Sequence, residues 1–189
     1  DIVRKIGDRR GEGDAQGNLG NAYYDLGDTR RAIDLYEKQL DIVRKIGDRR
    51  GEGNALGNMG IVYYDLGEPH RAIELYEQQL VIVQEIGDRR GEGNALGNIG
   101  LAYADLNETS RAIGLYKQAL VIHREIGDRH GEALTSWNLG LAYQKENDLA
   151  QAIACMQLNI HYLQDAGHHD AEAHANHVDE LRARFVASS

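Results

Sequence analysis

Apolar residues recur in two helical blocks within every 40 positions of this chain. In the stretch 48–87, Ala55, Met59, Val62, Tyr63 and Leu66 lie three or four residues apart. That spacing puts side chains on one face of an α-helix and predicts a helix over 49–66. A second stripe, Ala72, Ile73, Leu75, Tyr76, Leu80, Val83 and Ile86, predicts another over 69–86. The two are separated by punctuation. Gly47 suits the left-handed residue after a helix, and Asp48 suits the N-cap of the next. Gly67 and Glu68 repeat the stop-start pair, and Pro69 fits a first helical turn. The positions equivalent to Gly67 hold Gly27, Asn107 and Asn147. Gly and Asn are the residues that tolerate left-handed backbone, so the substitution pattern supports the turn independently.

The pattern is an internal repeat. The run from Gly87 to Gly100 recurs nearly verbatim at 47–60 and 7–20, and in eroded form at 127–140. About 30 of 40 positions agree between 1–40 and 41–80. A fixed period of this size indicates a solenoid, in which each unit packs only on its neighbours. Short turns make each unit an antiparallel helix pair. The expected division is 1–6 as the tail of a preceding repeat helix, then repeats at 7–46, 47–86, 87–126 and 127–166. First helices begin near 9, 49, 89 and 129. Residues 167–189 form a C-terminal capping helix, with a helical core over 170–185 and the polar outer face a terminal cap needs.

Composition narrows the function. Hydrophobic residues make up 42% and charged residues 27%, enough burial for a packed fold. The net charge of -9 argues against sequence-independent nucleic-acid binding, which needs clustered cations. No apolar run is long enough to span a membrane, and no signal peptide is visible. A lone Cys155 cannot form an internal disulfide and fits a reducing, cytoplasmic setting. It reads as a small core residue. The first residue, Asp1, lies inside a repeat, as expected of a fragment.

The residues Leu19, Gly20, Tyr23, Gly27, Ala32, Tyr36 and Leu40 resemble the tetratricopeptide signature. Gly60, Tyr63, Gly67, Ala72, Tyr76 and Leu80 repeat it, as do Gly100, Tyr103, Ala112, Tyr116 and Leu120. The fourth copy keeps Gly140, Tyr143, Ala152 and Ile160, with Met156 in place of Tyr. The usual unit is shorter, about 34 residues. The longer form, with Gly-Asp-Arg opening each unit, is similar to Leu-Gly-Asn-repeat proteins of the Pins type, to kinesin light chains and to bacterial repeat arrays. The resemblance implies an all-α, right-handed superhelix whose first helices line a concave channel for an extended peptide. It also implies that an Asn ladder, here Asn18, Asn58, Asn98 and Asn138, grips the peptide backbone. Four residues earlier this chain has Asp14, Asn54, Asn94 and Leu134, where the Pins-type proteins often carry Arg.

Spacing alone defines a candidate surface. Arg50, Asn54, Asn58, Ile61 and Asp65 form one stripe on the first helix, opposite its apolar face. Its equivalents are Arg10, Asp14, Asn18, Asn21 and Asp25, then Arg90, Asn94, Asn98, Leu101 and Asp105. The fourth repeat offers His130, Leu134, Asn138, Leu141 and Lys145. Stacking predicts an Arg rim, an amide floor and an Asp rim. Amides donate and accept, so they can satisfy a peptide backbone without reading its sequence. The other reading is that these Asn side chains bond between repeats.

Asp25, Asp65 and Asp105 sit in a last helical turn, where the dipole disfavours negative charge. Pairing with Arg31, Arg71 or Arg111 is one explanation; contact with a basic group of a partner is the other. Gly17, Gly57 and Gly97 lie inside helices at a propensity cost of up to about 1 kcal/mol each relative to Ala. They either bare the groove floor or permit close helix packing. Trp137 replaces this glycine in the fourth repeat. It either anchors ligand in the groove or fills the core. His174 and His177, three apart, could chelate a metal, but no further ligand set completes a site.

No phosphate loop, catalytic triad or paired carboxylates stand out, and near-identical repeats do not build an asymmetric catalytic centre. The expectation is a non-enzymatic protein- or peptide-binding scaffold without cofactor or metal, binding neither nucleic acid nor membrane. Alternatives are a regulatory or sensor array of a larger signalling ATPase or transcription regulator, and a module that self-associates through its repeat ends.

Overall fold

The computed structural model describes residues 2–188, with side chains over 8–187. Nine α-helices and no strand occur among the described residues. They are α1 (Ile2–Asp25), α2 (Thr29–Ile46), α3 (Arg49–Asp65), α4 (Pro69–Glu85), α5 (Arg89–Asp105), α6 (Thr109–Glu125), α7 (Arg129–Lys145), α8 (Leu149–Asp165) and α9 (Ala171–Ser188).

The chain divides into two compact units, one ending at Gly91 and the other beginning at Glu92. In the first, α1 packs on α2, α2 on α3 and α3 on α4. In the second, α6 packs on α7, α7 on α8 and α8 on α9. Each is a tandem of neighbours, as expected of repeats that each bury only half a core.

The turns follow the expected chemistry. Gly47 adopts φ 72°, and Gly67, Asn107 and Asn147 adopt 74°, 61° and 62°. At the α2 end, the Asp48 amide donates to Val43 O and the Gly47 amide to Arg44 O. These two bonds satisfy carbonyls that the helix leaves open. The Asp48 carboxylate then accepts from the Gly51 amide at 3.1 Å and starts α3. Asp28, Asp128 and Asp148 cap α2, α7 and α8 in the same way. Glu68 makes no such side-chain bond, and Pro69 opens α4 instead.

Packing explains the invariant-looking small residues within this chain. Ala32, Ala72, Ala112 and Ala152 are fully buried. Gly60 lies against the Tyr76 ring, so closely that no Cβ would fit without moving it. Around these contacts Leu56, Val62, Tyr63, Ile82 and Val83 form the core of α3 and α4. Burying each such aliphatic side chain contributes roughly 1.5–3 kcal/mol.

Two features depart from the pattern. The junction expected at Gly7–Asp8 is absent, because α1 runs unbroken from Ile2. At Gly47 the preceding helix folds back on a partner. Also, His123 occupies the position of Val43 and Val83 and is 2% exposed. Glycines at 93 and 131 leave room for its ring, and its Nδ1 lies 3.5 Å from Asp128.

One ion-pair network is partly buried. Glu52 accepts from Arg44 at 2.8 Å and from Arg49 at 2.5 Å. Burial pushes its carboxyl up, but the two arginine hydrogen bonds outweigh this and hold it below its ordinary value.

Candidate peptide-binding face

The stripe lies on one open helix face within each unit. On α1, Arg10, Asp14, Asn18, Asn21 and Asp25 are exposed. On α3, Arg50, Asn54, Ile61 and Asp65 are exposed and Asn58 is half-buried. On α5, Arg90, Asn94 and Asp105 are exposed, with Asn98 and Leu101 half-buried. On α7, His130, Leu134, Leu141 and Lys145 are exposed and Asn138 is half-buried. The reason is geometric: Ala55, Leu56, Met59 and Val62 turn the opposite face of α3 into the core and leave the stripe outward.

The amides are not equivalent. Asn58 Nδ2 donates to Asn21 Oδ1 at 3.2 Å, and the Tyr36 hydroxyl donates to the same oxygen at 2.7 Å. Asn58 thus bonds between repeats. Ile61 and Leu101 replace Asn21 in the next two units, so that acceptor does not recur. Among the described residues, neither Asn98 nor Asn138 has a side-chain hydrogen-bond partner.

The rims carry a correction. Arg31, Arg71 and Arg111 do not pair with the Asp rim. They pair instead with Asp28, Glu68 and Glu108 at 3.2, 3.7 and 2.7 Å, the acids that open their own helices. Each guanidinium also lies over a tyrosine ring, at 3.9 Å for Arg71 on Tyr63. Three-residue helical spacing makes the local acid the nearer partner. Asp65 is met by the hydroxyl of Tyr24 on α1. That hydrogen bond pushes Tyr24 up to about 12. On the other rim, Arg10 pairs with Asp48 at 3.1 Å.

Gly57 and Gly17 do not bare the groove floor. Both are buried, and a Cβ at Gly57 would lie 2.5 Å from Gln79 Nε2. Gly17 makes room for Gln39 in the same way. The signal was available in the sequence: Gln39 and Gln79 recur at the same repeat position, and Ala119 and Asn159 follow.

Trp137 is half-buried and packs against the cluster of Leu149, Ala152, Met156, Ile160, Val178 and Leu181. Its ring stacks on His174 of α9, with centroids 3.6 Å apart and planes 7° apart. His177 tilts over it at 5.7 Å and bonds Gln144 at 2.9 Å. His174 Nδ1 is 2.6 Å from Asn159 Oδ1, and Asn159 Nδ2 donates to Ala133 O. The two histidines clasp an indole rather than face each other as a chelating pair. His168, His169 and Asp170 gather donor atoms in the exposed turn before α9. Cys155 is half-buried, and burial raises its thiol above the ordinary value. No helix among the described residues is long and apolar enough to cross a membrane.

The tetratricopeptide repeat family profile matches this chain at residues 11–80, 51–125 and 93–158. No curated protein matches it. The chain is similar in structure to the aspartyl phosphate phosphatase F of Bacillus subtilis, at 16% identity and a TM-score of 0.83, over 93% of this chain and 45% of that one. It is similar to a kinesin light chain of nearly identical repeats from Podosopora anserina, at 17% identity and 0.72, over 89% and 84%. It is also similar to a signal-transduction ATPase with numerous domains and a tetratricopeptide repeat sensor, from Pyrococcus horikoshii, at 18% identity and 0.78, over 98% and 32%. The chain spans less than half the length of the phosphatase and about a third of the ATPase. These likenesses show the fold, and the matched segments together cover most of the sequence: the chain belongs to the tetratricopeptide repeat family.

Proposed function

We propose that this chain is a non-enzymatic scaffold that captures an extended peptide on the outward stripe of its first helices. The observation that carries the reading is the pair Asn98 and Asn138: half-buried amides with no side-chain partner, flanked by exposed charge. An extended peptide presents free N–H and C=O groups that such amides satisfy. Asn94 extends the amide surface in the second unit, and Asn18 and Asn54 form its counterpart in the first. Asn58 and Asn21 shape it while bonded to each other, and Trp137 supports its end by holding α9. At the two ends of their own first helices, Arg10, Arg50 and Arg90 and then Asp25, Asp65 and Asp105 set charge preference and speed association.

The test is selection of displayed peptides against the chain, followed by Asn98→Ala with Asn138→Ala. Helicity should persist while the selected peptides weaken by about tenfold or more, from 1–3 kcal/mol per unmet polar group. Unchanged affinity, with loss on substituting Glu74 or Glu77 of α4, would place the site on the other face.

A second reading has its own support. The Pyrococcus horikoshii ATPase, of which this chain spans 32%, carries its repeats as a sensor. Peptide capture would then control a larger protein, and the domains accompanying these repeats would reveal it.

A further inference from the structure

The turn that leads into the last helix breaks the repeat's own chemistry. Left-handed Gly47, Gly87 and Gly127 are followed by Asp48, Asp88 and Asp128. Each of those carboxylates accepts from the amide three residues on and starts a helix. Gly167 keeps the left-handed conformation, at φ 62°, but His168 follows it. The aspartate arrives two residues late, as Asp170, immediately before α9. Instead of receiving an amide of the first turn, its two carboxylate oxygens are each turned to an imidazole. Oδ2 lies 3.5 Å from His168 Nδ1, and Oδ1 lies 3.2 Å from His169 Nε2. The two rings stack with centroids 4.4 Å apart. One donor atom from each of the three residues lies within 4.8 Å of the others.

These separations have a chemical meaning. Zinc holds nitrogen and oxygen ligands at about 2.0–2.2 Å in a tetrahedron, whose edges are then roughly 3.3–3.6 Å. The two nitrogen–oxygen distances here are close to that edge. His168 Nδ1 accepts from the Asp170 amide at 3.3 Å, so its lone pair faces the cluster. That bond is long, and an ion can displace it. All three side chains are open to solvent, so entry needs no change in the core. Two imidazoles with one carboxylate favour zinc and its transition-metal neighbours over magnesium and calcium.

We propose that His168, His169 and Asp170 form a binding site for a transition dication of the zinc class, with a fourth position left to water. The site lies outside the peptide-binding stripe and does not rest on it. Its consequence is mechanical. The three residues make the turn between α8 and α9. From there α9 sends Val178 and Leu181 into the core and His174 onto the Trp137 ring. An ion that binds only the folded turn stabilises the seating of α9 in step with its occupancy.

The experiment is calorimetric titration of the untagged chain with Zn2+, read beside the histidine ring resonances of the isotope-labelled chain. One equivalent should bind, and the rings of His168 and His169 should shift ahead of those of His70, His130 and His161. His169→Ala and Asp170→Asn should each weaken Zn2+ about tenfold or more, the low end of what disturbing a metal's surroundings costs. His70→Ala, on α4, should bind as the wild type does. Mg2+ and Ca2+, which take oxygen ligands, should leave the rings of His168 and His169 unshifted. Saturating Zn2+ should raise the midpoint of thermal unfolding in the wild type and not in Asp170→Asn. Circular dichroism checks that the variants keep their helices, and the ring shifts of the wild type decide the site whatever the variants do. No binding, binding unchanged by Asp170→Asn, or shifts centred on His174 and His177 would overturn the site. Binding without a rise in the midpoint would overturn the fastening of α9.

Discussion

The hydroxyl of Tyr24 donates to the carboxylate of Asp65, joining the first helices of two adjacent repeats across 41 positions of sequence. The bond answers an electrostatic problem, since Asp65 ends its helix, where the dipole repels negative charge. It also raises the Tyr24 pKa to about 12. A phenol held protonated by the fold contributes stability that is complete below its unfolded pKa of about 10. That contribution disappears as pH rises through about 12. Tyr24→Phe should lower stability by about 0.5 kcal/mol at neutral pH, at the low end because the bond is exposed. Denaturant unfolding at pH 7 and at pH 12 should show the gap between variant and wild type closing.

Glu52 works in the opposite direction. Its carboxyl is held below its ordinary value by Arg44 and Arg49 despite burial. Its contribution is therefore complete above the unfolded pKa of about 4.3 and is lost as pH falls through the lower folded value. Glu52→Gln should cost about 1–3 kcal/mol near neutrality. Thermal melts between pH 7 and 3 should fall less steeply in the variant than in the wild type.

Gly57 sets helix propensity against packing. In an open helix, replacing it by Ala would gain about 1 kcal/mol. Here the new methyl would strike the amide of half-buried Gln79. Gly57→Ala should destabilise by about 1–3 kcal/mol, as overpacking does. Adding Gln79→Ala should recover most of the loss, because Ala119 already occupies that position in the third repeat. Gln79 Oε1 is itself buried without a hydrogen-bond partner, so its removal leaves little unmet. Urea unfolding of the single and double variants measures both steps.

Trp137 reports on α9. Burial lowers the His174 pKa from its ordinary value, so the stacked ring is neutral at pH 7. A depressed histidine contributes stability above its unfolded pKa of about 6.5 and loses it as pH falls through the folded value. Trp137 emission should stay constant down to about pH 6.5 and change below it. His174→Ala should shift emission to the red at every pH, by baring one face of the indole. An unshifted spectrum would mean that the stack does not cover the ring.

Local periodic features were legible before any coordinates. The left-handed Asn107 and Asn147 followed from their register with Gly67, and the helices from apolar spacing. The exposed stripe followed too, since its face is fixed by where the core residues lie. What escaped were choices among competing partners. Register offers Arg71 the rim residue Asp65, but Glu68, three residues away at the start of its own helix, takes the pair. Tyr24 and Asp65 meet only through the stacking angle of repeats, which no residue spacing encodes. For Gly57 the recurrence of Gln39 and Gln79 is visible in the sequence, but the approach of that side chain from another helix is not. Trp137 gained its partner from α9, outside the repeat register altogether.

Among the described side-chain bonds, none closes more than 41 residues, and both the Tyr24–Asp65 and Lys145–Ala104 bonds have that span. Such an interval makes the entropy of closing each bond independent of array length, since loop cost grows only with the segment enclosed. Duplicating a unit therefore adds a junction without lengthening any loop. Low contact order of this kind favours rapid folding from whichever pair of helices forms first. A chain so built can acquire or shed 40-residue copies by recombination while keeping its folding route, and Ala104 with Lys145 records how one copy then diverged.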